Sequence, residues 1–237
     1  MGSWRRFLVE GFVIVVSILL AFGVQASWEE YQERRAESEY LVALRGELDQ
    51  TRSVIANQRD ATSNILHGHE SLLEQFTTRS YASSDSLLVW LSHLSRPVDF
   101  RPPVAVLDDI VSAGGIQLIR VDSLRLAIAE YERALELVDR ASEQAWATWS
   151  DRIQPYLETR VPRVDRLALG SFGVTVGIDL PFGPGPFESK YEEIFMDPGF
   201  QSMIAERWFR VWDANSALEA LGPLIDRIIV MIDENVT

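Results

Sequence analysis

The first twenty-eight residues constrain this chain more than any other stretch. From Gly11 to Val24 only Ser17 interrupts a run of apolar and glycine residues. A helix from Trp4 to Trp28 would be roughly 37 Å long at ~1.5 Å per residue, enough to cross a hydrocarbon core of about 30 Å. Trp4 and Trp28 stand where an aromatic belt would place them, one at each interface. The expectation is therefore a single membrane anchor over 1–28. Glu10 lies one turn inside it, four residues after Arg6 on the same helical face. It reads either as an interfacial, solvated carboxylate or as a contact to a neighbouring transmembrane helix, a role that Ser17 and Gly23 would share. Val24, Gln25 and Ala26 also fit a signal-peptidase site, so a cleaved signal peptide is the competing reading; retention is the expectation.

Arg5 and Arg6 precede the apolar run, whereas Glu29, Glu30 and Glu33 follow it. Basic residues on the short N-terminal flank favour that end in the cytoplasm and the remaining 29–237 outside, in the periplasm if the cell is Gram-negative, although Arg34, Arg35 and Arg45 count the other way. The net charge of −13 argues against nucleic acid and against a surface lying on anionic lipid. The chain has no cysteine, which excludes disulfides, thiolate metal sites and a cysteine nucleophile.

Beyond Trp28 the pattern is helical. Residues 29–39 are charged and free of Gly and Pro, and continue the anchor as a stalk. Leu41, Leu44, Leu48, Ile55, Ile65, Leu72 and Phe76 recur at 3–4 spacing, with Thr51, Gln58, Thr62 and His69 filling the stripe. A stripe this polar suits one helix of a bundle. A short helix over 87–94 is capped by Asp85 or Ser86, and another over 104–112 stops at Gly114 and Gly115. A long helix opens at Asp122 or Ser123, shows one face through Leu124, Ile128, Tyr131, Leu135, Val138, Ala145, Trp149 and Ile153, and bends or ends at Pro155. Residues 161–190 read as irregular, with a small strand over Val174–Ile178 and a Gly/Pro loop carrying Phe182 and Phe187. The last helix follows Pro198 and carries Ile204, Trp208, Val211, Trp212, Leu218, Leu221, Ile225, Ile228, Ile229 and Ile232. The fold class expected is mainly α: an N-terminal membrane helix, a stalk, and one helical extramembrane domain over 29–237.

Two segments carry a resemblance. Ser27-Trp28-Glu29-Glu30 directly after an apolar span, with residues 39–48, is the first. The second is residues 112–119 followed by Leu124-Arg125 and residues 128–131. Together they resemble a bacterial family of unknown function whose members have one N-terminal membrane helix and a helical domain. The resemblance spans nearly the whole chain and departs at Gln25-Ala26-Ser27, where members carry asparagines. The family has no established activity, so the resemblance implies architecture and little more.

No catalytic set emerges. His67, His69 and Glu70 form one cluster, without metal-motif spacing, and read as a solvated helix face; His93 reads as structural. Asp108-Asp109 and Glu192-Glu193 are adjacent carboxylates that point different ways on a helix. No cofactor, metal or catalytic residue is expected. The function expected is a non-catalytic accessory subunit in the bilayer, docked to other transmembrane subunits of a larger assembly such as a respiratory or photosynthetic complex. Phe182, Phe187, Trp208 and Trp212 are the candidate docking residues. The alternative is an extracytoplasmic ligand-sensing module whose partner relays the signal.

Overall fold

The computed structural model describes residues 3–78, 82–112, 114–168 and 181–235, with side chains from Phe12 onward apart from Val13. Among the described residues the protein is mainly helical, at 84% helix, with no strand. The strand expected over 174–178 lies outside the described residues. In order, the elements are α1 (Ser3–Thr78), α2 (Ser84–Leu94), α3 (Ala105–Ser112), a 3₁₀ turn (Gly115–Gln117), α4 (Asp122–Thr148), a π turn (Trp149–Ile153), α5 (Gln154–Glu158), α6 (Arg163–Ala168), α7 (Tyr191–Phe195) and α8 (Pro198–Asn235).

α1 runs for 76 residues because nothing in its sequence stops it: it contains no proline. Its stripe is buried as the 3–4 spacing predicts, with Leu41, Leu44, Leu48, Ile55, Ile65 and Leu72 joined by Thr51, Thr62 and His69. Among the described residues no helix is long and apolar enough to cross a membrane.

The chain divides into two compact units, the first comprising 1–48, 104–126 and 229–237. Here the expected start of the short helix at Val104 shifts to Ala105, and its cap comes from α1. The Glu47 carboxylate accepts the backbone N–H groups of Val106 (2.7 Å) and Leu107 (3.0 Å). These are first-turn donors that the helix itself cannot satisfy. Glu47→Ala is expected to cost about 1–3 kcal/mol, since one buried and one half-buried donor lose their acceptor, read as a lowered urea midpoint at constant slope. After α3, Gly114 takes φ +76°, the left-handed conformation that ends a helix at low cost for glycine. Glu37 accepts the Arg120 N–H at 2.7 Å, and the Arg120 guanidinium lies 3.5 Å from Glu30 and 3.8 Å from Glu33.

The second unit comprises 49–103 and 127–228. One core joins Leu72 of α1, Leu87, Leu88, Leu91 and Leu94 of α2, Trp149, Ile153 and Leu157 around α5, and Ile194, Phe195, Phe200 and Ile204. A second cluster holds Ile65, Val98, Ala145, Val211 and Ala214. α2 begins earlier than expected: Ser83, not Asp85 or Ser86, is the cap, and its Oγ accepts the Ser86 N–H at 3.3 Å. Its extended backbone (φ −57°, ψ 149°) aims the hydroxyl at that amide, and Asp85 falls in the first turn, where the helix dipole favours it.

The bend or end expected at Pro155 takes a milder form. α4 widens into one π turn, in which the Gln154 N–H reaches the Trp149 carbonyl, and resumes as α5 with the proline in its first turn. Proline lacks the N–H that the residue four earlier would accept, and its ring crowds that carbonyl, so a wider turn relieves both. In the segment read as irregular, residues 163–168 are helical, and the Asp165 carboxylate holds the Gly185 N–H at 2.7 Å. α8 passes through Pro223 as one helix.

Candidate functional site

The N-terminal part of α1 exposes its apolar residues on every side. Phe12, Ile14, Val15, Ile18, Leu19, Leu20, Phe22 and Val24 are each between 49% and 71% exposed. A Cβ added at Gly23 would meet nothing within 4 Å. Ser17 is exposed. At the end of this run the exposed rings of Trp28 and Tyr31 stack with centroids 5.8 Å apart. Next comes a lattice of polar pairs one turn apart: Gln25 with Glu29 (2.9 Å), Arg34 with Glu30, and Arg35 with Glu39 (2.9 Å). The exposed surface of α1 therefore changes from apolar to polar near Trp28. Trp4, Arg5, Arg6 and Glu10 lie in α1, and their side chains are outside the described residues.

In the second unit α8 carries an aromatic face. Trp208 and Trp212 lie one turn apart with rings nearly parallel (11°) and centroids 6.4 Å apart, and Phe209 stacks on Trp212 at 6.0 Å. Trp208 donates its Nε1–H to Glu70 at 3.1 Å. Trp212 and Phe209 are exposed. The sequence stripe puts Trp212 with the core residues, but Ile204, Val211, Leu218, Ile225 and Ile228 fill the buried face instead. Phe209 is absent from that stripe, because at one residue past Trp208 it falls off the 3–4 spacing. Phe182 and Phe187 are both exposed, and Phe187 lines a surface furrow with Glu158, Arg160, Pro162 and Lys190.

The reading of His67–Glu70 as a solvated face needs correction. His67 and Glu70 are exposed, but Gly68 and His69 between them are buried. His69 has no exposed surface, and neither of its ring nitrogens has a hydrogen-bond partner among the described residues. The physical reason is register: His69 continues the stripe of Ile55, Thr62, Ile65 and Leu72, as its spacing predicts, and only His67 and Glu70 form the solvated face. A Cβ at Gly68 would fall 2.7 Å from both Cβ and Cγ of His93, so α2 seats its histidine directly on α1 at this glycine. Gly68→Ala is accordingly expected to destabilise the protein despite a gain in helix propensity of about 1 kcal/mol, because overpacking costs about 1–3 kcal/mol. The test is chemical denaturation of Gly68→Ala beside Gly68→Ala/His93→Gly, in which removal of the His93 Cβ and ring relieves the clash and part of the loss is recovered relative to His93→Gly alone.

Arg207 of α8 is also fully buried. Its Nη1 donates to the Ala145 carbonyl and its Nη2 to the Arg96 carbonyl at 2.7 Å. Burial pulls this guanidinium down to about 10, which leaves it charged at neutral pH. Burial first, then the charges of Arg207 and His93, hold the His69 imidazole well below the ordinary histidine range. No group of three or more His, Cys, Asp or Glu among the described residues is placed to hold a metal ion. Asp108, Asp109, Glu192 and Glu193 are all exposed.

Scans of this chain against protein-family models, curated proteins and solved structures return no match.

Proposed function

We propose that this protein is a membrane-anchored, non-catalytic accessory subunit that docks to other transmembrane subunits of a larger assembly. One observation carries the reading: eight large apolar side chains between Phe12 and Val24 stand exposed around a helix that ends in a polar lattice. Burying a side chain of this size is worth about 1.5–3 kcal/mol, so the set as a whole represents more than about 10 kcal/mol of unused driving force. A bilayer takes up such a surface on all sides at once, and the backbone of a helix satisfies its own hydrogen bonds there. The helix would enter at Arg5 and Arg6 on the cytoplasmic side and leave at Trp28, with the rest of the chain in the periplasm of a bacterial inner membrane. Glu10, Ser17 and Gly23 supply contacts to neighbouring helices, and Phe187, Phe209 and Trp212 supply apolar contacts outside the membrane.

The anchor is tested by fractionation. The full chain is expected in the membrane pellet after an alkaline wash and in the micellar phase after detergent partition. Recovery in the aqueous supernatant in both would sink the anchor.

A further inference from the structure

We propose that the junction of α1, α2 and α8 around His69, His93 and Arg207 is a proton-operated latch, which holds α2 on α1 at neutral pH and releases it on acidification. The chain has three histidines, and all three meet here: His67 and His69 on α1, and His93 on α2, close enough to sense the charge of both. His69 is enclosed with both ring nitrogens unpartnered, and His93 Nδ1 and Arg207 Nε are likewise buried without a partner among the described residues.

The charges that act on the two imidazoles are positive. Arg207 faces His69 from α8, and Arg96, just past α2, faces His93 together with His67 of α1. α4 contributes the Ala145 carbonyl, which Arg207 already holds. Glu70, the neighbouring carboxylate on α1, is exposed and engaged by Trp208 of α8. A proton added to His69 or His93 therefore enters a site that already holds a buried guanidinium, and Glu70, the carboxylate next to His69 in sequence, is exposed. Release of α2 lets both imidazoles reach water. The seat is narrow, because His93 rests on Gly68 without space for even a methyl group.

The direction follows from proton counting. Burial, then Arg96, lowers His93 as burial and Arg207 lower His69, while the Asn64 backbone opposes the shift at His93. The closed junction thus binds fewer protons than the open one. The latch is fully shut above the ordinary histidine range near pH 6.5 and loosens as pH falls below it toward the closed-state values. Each histidine that must charge raises the open-to-closed ratio by about tenfold per pH unit in that window.

The experiment is hydrogen exchange of the full chain in detergent micelles from pH 8 to pH 5, corrected for the intrinsic rate. Amides of α2 are expected to lose protection by about tenfold or more per pH unit below pH 6.5, while those of 229–235 hold theirs. The variant His69→Leu/His93→Gln, which keeps volume and removes both titrating rings, is expected to flatten the α2 profile. A second readout needs no variant: imidazole proton resonances of the wild-type chain, with exposed His67 as reference. Protonation of His69 and His93 should coincide with the loss of α2 protection. A flat wild-type profile, an unchanged profile in the folded double variant, or buried imidazoles that protonate without α2 opening would each overturn the latch.

Discussion

Phe200→Ala is expected to lower the free energy of unfolding by about 3–5 kcal/mol, the cost of emptying a fully enclosed aromatic site. Phe200 has no exposed surface. Its ring stacks on Tyr156 at 4.9 Å and 8°, and meets Phe76 at 6.2 Å and Phe195 at 6.5 Å. It also sits in the first turn of α8, where the neighbouring groups are fixed: Tyr156 donates its hydroxyl to Asp197 at 2.6 Å, and Asp197 holds the Gly199 N–H at 2.7 Å. With the partners held in place, the hole cannot collapse, so the value belongs at the upper part of the range. Phe200→Leu, which refills much of the volume, should cost less than half as much. Urea denaturation followed by far-ultraviolet dichroism measures both. A loss below about 1 kcal/mol for Phe200→Ala would mean that this cluster is not packed as described.

Leu19→Arg is expected to have the largest effect on location with almost none on stability. Leu19 is 64% exposed and near the middle of the apolar run. In water its replacement is a surface change within about 0.5 kcal/mol. At the centre of a membrane helix, replacing leucine by arginine costs about 3 kcal/mol, a shift of more than 100-fold in insertion. Fractionation of the variant should therefore move much of the protein out of the membrane, while the thermal midpoint of the remainder is unchanged. Equal fractionation of wild type and variant would contradict membrane burial at Leu19.

The periodic part of the fold is legible in the sequence. The stripe from Leu41 to Leu72 and the face from Leu124 to Ile153 are readable because a helix in a bundle must bury every third or fourth residue, and Thr51, Thr62 and His69 are readable as members by position alone. The partners of that stripe are not. Nothing local announces that Glu47 caps a helix some sixty residues later, or that His93 lands on Gly68, since both depend on how distant segments meet. At His67–Glu70 composition and position disagree: the cluster's polar residues suggest a solvated face, while the stripe position of His69 gives its burial correctly. Trp212 fits the core stripe by type and spacing as well as the docking set, and it lies outside, with Phe209 beside it. Turn chemistry sets the remaining differences. Ser83 rather than its neighbours caps α2 because only its hydroxyl is three residues before the amide in need, and Pro155 is absorbed by a π turn rather than ending the helix.

Whether the chain serves as an anchored subunit of a larger assembly is tested most directly by native mass and co-purification from gently solubilised source membranes. Co-migration at fixed stoichiometry with a complex containing other transmembrane chains is expected, and it should weaken when Trp212 and Phe209 are both changed to Ser. A protein that runs alone, or only with copies of itself, after mild solubilisation would contradict that role.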